Sequence, residues 1–204
     1  MTFQDFLSQY CESAAFHEAG HAVVAAVQRM PLRHRGIHID AKGQGIAFYW
    51  YALPDGSRNV GPNVERERTI ISTGAGLVAQ RKFFPDCPAD GALADTDLVI
   101  KLLDEMFSDS HELLAAKKRL WHTTRDLVDQ HWLAIEGLAR TLWSKPWTPR
   151  SLEKERDWSK EPLEKWMSGD EVVRVLNQFD IPAFIVDDSM GQYAPPPQAM
   201  GSGY

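Results

Sequence analysis

No stretch of this 204-residue sequence approaches the eighteen or so apolar residues that a membrane-crossing helix requires. Nor does it open on the basic-then-apolar pattern of an export signal. No G-x-x-x-x-G-K-[ST] string occurs, which excludes a Walker-type nucleotide site and with it an ATPase motor in this sequence. Cysteine is scarce: Cys11 and Cys87 alone cannot build a disulfide framework or a cysteine-rich zinc module, so a reducing cytoplasm is the expected setting. Positive charge is in deficit, with 22 Lys and Arg against 28 Asp and Glu and a net charge of −6, which argues against nonspecific nucleic-acid binding. No internal repeat is visible. What remains, with 44% hydrophobic residues, is the composition of a soluble single-domain enzyme that needs neither membrane nor nucleic acid as partner.

Against these absences one string stands out, His17-Glu18-Ala19-Gly20-His21, inside a helical stretch expected over 2–30. Residues four apart on a helix lie one above the other, with Cβ atoms roughly 5–6 Å apart. Two imidazoles at that spacing converge on one Zn²⁺, and the Glu between them can act as general base toward a water the metal activates. Phe3, Phe6, Leu7, Tyr10, Ala14, His17, His21 and Val24 recur at three- or four-residue steps, so both His share the apolar face of an amphipathic helix. Two core histidines hydrogen-bonded to backbone are the bland alternative. Thr2 with Asp5 suits an N-terminal cap, and Pro31 stops the helix after Met30. Gly20, costly inside a helix by about 1 kcal/mol relative to Ala, predicts a neighbouring element packed too close for a side chain.

A catalytic zinc takes three protein ligands and keeps a fourth position open. The extended H-E-x-x-H-x-x-G-x-x-H pattern is ruled out, because Val24 and Val27 stand where it needs Gly and His. Asp40 is the only acid between His21 and Asp55, so the third ligand comes from farther along the chain. The remaining histidines (34, 38, 111, 122 and 131) show no ligand spacing. Arg29, Arg33, His34 and Arg35 suit a solvated loop at the helix C-terminus.

Residues 15–25, Ala-Phe-His-Glu-Ala-Gly-His-Ala-Val-Val-Ala, resemble the zinc helix of the peptidase domain of FtsH, the membrane-anchored AAA protease. The likeness extends to Pro31–Leu53, similar to that family's β-hairpin, to Thr73-Gly74-Ala75-Gly76-Leu77-Val78-Ala79, similar to its Gly/Ala-rich helix, and to Met167–Val172, similar to the start of its closing helix. It covers about 13–143 and 167–177. The resemblance implies an α+β, predominantly helical fold, with a small β-hairpin or sheet near the metal and a helical bundle. It also implies a third ligand in an Asp that begins a helix after a short Gly-Ala lead, here Gly91-Ala92-Leu93-Ala94-Asp95, with Asp97 as the alternative. Helical phase favours Asp95: Leu98, Val99, Leu102, Leu103, Met106 and Phe107 lie on its side, whereas Lys101, Asp104 and Glu105 lie on that of Asp97. As ordinary first-turn acids, both would also be favoured by the helix dipole.

The expected activity is therefore an ATP-independent zinc metalloendopeptidase, with His17, His21 and Asp95 on Zn²⁺ and Glu18 as general base. Its partners would be a peptide or unfolded-protein substrate, and either further copies of itself or a motor protein acting in trans. A catalytically silent metal-binding or interaction module on the same scaffold is the alternative. Helices are expected near 63–84, 95–107, 109–144 and 169–178, and strands near 36–40 and 45–53. Ile46, Phe48, Trp50 and Ala52 share one face of the second strand, and Tyr49 and Tyr51 the other; the resemblance implies an edge where a substrate chain pairs, and the alternative is that the aromatics simply cover the helices. A single domain spans 1–186. Within it, 144–167, bearing Trp147, Trp158 and Trp166, departs from the family as an insertion, read either as a docking or lid element or as a surface excursion. Ser168 with Glu171 forms a capping box, and 187–204 reads as a disordered Pro- and Gly-rich tail.

Overall fold

A computed structural model describes residues 2–49, 61–88, 92–149 and 163–186. The outer part of the 45–53 strand, Gly91, Trp158 and the 187–204 tail lie outside these residues, as does the side chain of Asp5 in the first capping pattern. The architecture is predominantly helical with one small mixed sheet. Helix α1 (Phe3–Val27) runs through the centre and leads into strands β1 (Leu32–Asp40) and β2 (Gly45–Tyr49). Helices α2 (Pro62–Phe83), α3 (Leu93–Met106), α4 (Ser110–Gln130) and α5 (Trp132–Ser144) follow. Then come β3 (Thr148–Pro149), β4 (Leu163–Met167), α6 (Gly169–Asn177) and β5 (Ile185–Val186).

α1 is not amphipathic in the way its spacing suggested. Every residue from Ser13 to Ala26 is buried, because α2 packs on one side, α5 on another and the β1–β2 ribbon on a third. A helix enclosed on all sides has no polar face to reveal. Gly20 does mark a close approach: a Cβ there would stand 2.7 Å from the Ala75 carbonyl oxygen and 2.8 Å from the Ala79 Cβ of α2. The helix ends before Pro31 in a Schellman turn, with Met30 N–H donating to Ala25 O and Arg29 N–H to Ala26 O, each at 2.9 Å, and Arg29 at φ 63°.

The stretch expected as one helix over 109–144 breaks at His131 into α4 and α5. Unbroken, it would run about 54 Å, too long to keep both ends on one domain core. The break lets α4 lie on α2 while α5 turns onto α1. Asp109 caps α4 by accepting from the His111 and Glu112 N–H groups, and Ser168 and Glu171 form the expected capping box of α6.

The sheet has the order β2-β1-β4-β3, antiparallel throughout, with β5 added parallel to β1. Arg33, His34 and Arg35 therefore belong to β1 and not to a loop, and Arg33 and Arg35 stand over the Phe48 ring. The face of β2 turned to the helices carries Gly45, Ala47 and buried Tyr49, while Ile46 and Phe48 are half-buried on the other. Small residues on the inner face let the strand backbone lie close on α1. The expected insertion re-enters the core as well: β4 pairs Glu164–Met167 residue for residue with Ile37–Asp40 of β1, and Met167 is fully buried. Trp166 stays 49% exposed on the outer face, and Trp147 packs edge-on against Trp143.

Candidate metal centre

α1 presents His17 and His21 one turn apart, with ring centroids 4.6 Å apart and planes nearly perpendicular. α3 brings Asp95 to them from its first turn. The Asp95 Oδ2 atom lies 2.8 Å from His17 Nε2 and 3.1 Å from His21 Nε2, across 78 and 74 residues of chain. Asp97 is exposed on the outer side of α3, so the structure brings the core-phased aspartate to the histidines and leaves the alternative outside. Both rings are buried, and the Asp95 side chain is 29% exposed.

The far side of each ring is tied down. His21 Nδ1 donates to the Ser72 carbonyl oxygen at 2.8 Å, and a carbonyl can only accept. His17 Nδ1 donates to Gln80 Oε1 at 3.1 Å. The amide orientation of Gln80 follows from its other partner. Ser13 Oγ donates to Tyr10 O at 2.7 Å, so it accepts from Gln80 Nε2 at 3.1 Å, leaving Oε1 for the imidazole. With both Nδ1 atoms protonated, neutral rings point their Nε2 lone pairs at each other's neighbourhood and at Asp95. That is how imidazole ligands are oriented in metal sites.

Three electron-rich atoms meeting in a buried place require positive charge between them. Without a metal it comes from protons: burial works against the charged form of His21, but the Asp95 carboxylate outweighs burial and lifts its pKa to about 9. Burial likewise penalises the ionised form of Asp95, yet the facing imidazoles hold it well below the usual carboxylate range. A metal ion can fill the same role. The three ligand atoms all lie within 4.8 Å of one another, and legs of 2.0–2.2 Å to a tetrahedral ion separate ligand atoms by about 3.4 Å. The two Asp95 contacts, at 2.8 and 3.1 Å, would open by about half an ångström to accommodate it. His17, His21 and Asp95 thus form a group that can hold a metal ion.

Glu18 lies beside the group, buried. Burial pushes its pKa up; the neighbouring imidazoles and a hydrogen bond from the Ala47 N–H pull the other way without reversing it. β2 closes over this carboxylate, since a Cβ on Gly45 would stand 2.6 Å from Glu18 Oε1. Gly76 of α2 has the equivalent task at the rings. A Cβ there would come within 2.4 Å of His21 Nε2 and 2.8 Å of His17 Nε2. Ser72 and Gln80 were not singled out in the sequence, and Gly76 only as part of the Gly/Ala-rich run. Their signal is a run of small and polar residues spaced by four on one face of α2, unusual for a helix buried against another.

Neither models of known protein families nor curated proteins match the chain.

Proposed function

We propose that the chain is a zinc-dependent endopeptidase of the FtsH-peptidase type, acting on peptides or unfolded segments. The observation that carries this reading is the convergence of His17 Nε2, His21 Nε2 and Asp95 Oδ2 beside the Glu18 carboxylate. These three atoms would hold Zn²⁺, which when bound lowers the pKa of water toward neutrality and polarises a carbonyl. Glu18 would take the proton of the attacking water and return it to the departing amide nitrogen. A carboxylate with a pKa raised by burial suits both halves of that transfer. Ser72 and Gln80 keep the rings in the tautomer that binds metal. β2 ends the described sheet and lies against Glu18, so an extended peptide laid along it would pass the site.

The test is paired. Full-length protein purified without chelator should carry about one zinc per chain and cleave casein. Glu18→Gln should retain the zinc and lose cleavage by about 100-fold or more, the scale of general acid–base catalysis. Casein hydrolysis by Glu18→Gln at the wild-type rate would reject the mechanism. A metal-binding interaction module is favoured over it by one observation only, the exposure of Trp147 and Trp166. Zinc bound without turnover, and a complex lost on Trp166→Ala, would select that reading.

A further inference from the structure

Between α2, α3 and α4 lies a cavity of about 430 Å³, within the range of about 300–1,000 Å³ typical of small-ligand sites. Ile70, Leu77, Val99, Leu103, Leu120 and Trp121 make its lining aliphatic and aromatic. The space is elongated along α2. α4 runs parallel to α2, as the Arg119–Glu67 and Lys82–Asp129 ion pairs show. α3 runs antiparallel, with Glu105 at the level of Arg66 and Asp95 at the level of Gly76, where both touch the imidazole rings. Asp95 therefore closes one end, and Lys117 and Lys118 lie toward the other, opposite the start of α2. From the level of Arg66 to that of Gly76 the rise along α2 is about 15 Å. Most polar groups of the lining are already committed. Thr96 and Thr124 each donate to the carbonyl four residues back in their own helix, at 2.8 Å, and Asp95 faces the histidines. Thr73 Oγ1 has no partner among the described residues, but it is itself buried in the wall. Lys117 and Lys118 differ: both are exposed, and neither meets a carboxylate among the described residues.

We propose that this cavity binds a fatty-acid anion, with its carboxylate at Lys117 and Lys118 and its hydrocarbon chain lying along α2 toward Asp95. The lining decides against a peptide. Each peptide residue would carry an N–H and a C=O into a wall whose own polar groups are already bonded or covered, and unpaired groups there are costly. A hydrocarbon chain brings no such groups, and its transfer from water onto aliphatic side chains is favourable along the whole length. The head is decided by charge. On a chain of net charge −6, two adjacent lysines without acidic partners at the end of an apolar slot attract an anion and repel a cation. Both stay in water, so the carboxylate need not be desolvated to reach them. Entry is apolar as well, since Ile100 and Trp121 line the cavity while remaining 45% and 43% exposed. Neither bound zinc nor peptide hydrolysis is required, so the site stands or falls apart from the peptidase reading.

The full-length protein is titrated with laurate below its micelle concentration, and the indole N–H resonance of Trp121 is followed. One laurate per chain should bind saturably. Each buried methylene is worth about fourfold in affinity, so laurate should bind about 100-fold more tightly than octanoate. Lys117→Gln combined with Lys118→Gln should weaken laurate by about tenfold, the combined scale of two exposed ion pairs. The same double variant should leave dodecanol, the uncharged chain, unchanged. Substitutions at two exposed positions of α4 have little effect on folding. Ile100→Trp, which fills the mouth from an exposed position, should weaken both laurate and dodecanol by at least about tenfold and gives a second readout. Absence of saturable laurate binding, or an affinity indifferent to chain length, overturns the site. A laurate affinity unmoved by the lysine substitutions, or a loss shared equally by dodecanol, overturns the placement of the carboxylate and with it the proposal. A Trp121 shift produced by an acidic amphipathic helical peptide, but not by laurate, overturns it in favour of a protein partner.

Discussion

The two faces of α2 behave in opposite ways. Toward α1 it is filled to contact: Ala75 and Ala79 press on Gly20, and Gly76 lies against both imidazole rings. Toward α3 and α4 it stands back, leaving the 430 Å³ cavity beside Gly74 and Leu77. Close packing fixes ligand atoms to within fractions of an ångström, and only small residues allow it. Open space admits a guest, and only a helix already held on its other side can line it without collapsing. The contrast explains why four small or polar residues, Ser72, Ala75, Gly76 and Ala79, share one face with Gln80 while Ile70, Thr73 and Leu77 turn to the other.

The most severe way to break this contrast is a single methyl on the crowded side. Gly76→Ala places a Cβ against rings that cannot retreat, since Ser72 and Gln80 hold their far edges. Zinc affinity, measured by competition with a chromogenic chelator, should fall by about 100-fold or more, the upper end of what disturbing ligand support costs. Gly74→Ala, two residues away, should leave zinc affinity unchanged and hold or raise the melting temperature, because Ala is the better helix former by about 1 kcal/mol. Equal zinc affinity in the two variants would remove the distinction between the faces.

A smaller effect comes from the other helix of the tight pair. Gly20→Ala gains the same helix propensity, but the new Cβ meets backbone, the Ala75 carbonyl, at 2.7 Å. Overpacking of this kind costs about 1–3 kcal/mol, so urea denaturation should show a net loss in stability, not a gain. A variant more stable than wild type would mean that α1 and α2 can separate without penalty.

How far such contacts could be foreseen varied with the kind of pattern involved. The histidine pair was readable from its i, i+4 spacing alone, and Asp95 over Asp97 from helical phase, which survives where one side of a helix meets solvent, as along α3. Gly20 was readable as a close approach. β4 was not, for its sequence inverts the usual alternation: Lys165 is buried at 7% exposure and Trp166 is at 49%. The lysine is tolerated inside because its ammonium donates to the Trp143 and Lys145 carbonyls at the end of α5 and lies over the Trp143 and Trp147 rings. Such satisfaction comes from residues about twenty positions away and leaves no mark in the local pattern. The inner face of β2 is hidden for a related reason, since Gly45 and Ala47 are small to suit α1 and do not advertise burial. The ties from Ser72 and Gln80 to the rings exist only once α1 and α2 are side by side.

The least effect is expected where charge meets water, and it sharpens the contrast between the enclosed centre and the surface. Lys145, which caps the end of α5, donates to Glu171 in the first turn of α6, and this hydrogen bond holds the Glu171 carboxyl below its ordinary pKa. A carboxyl depressed in the folded state stabilises above its unfolded pKa, about 4.3, and loses that contribution as pH falls through the lower folded value. The two side chains are 30% and 28% exposed, so screening limits the contribution to under about 1 kcal/mol. Glu171→Gln preserves the capping box, because Gln serves at that position as well as Glu, and removes the charge together with the hydrogen bond from Lys145. The stability difference between wild type and Glu171→Gln, by urea denaturation, should be a few tenths of a kcal/mol at pH 7, shrink below pH 4.3 and fall with added salt. A difference that persists unchanged at pH 3 would show that Glu171 acts through packing and capping, with its ion pair to Lys145 contributing nothing.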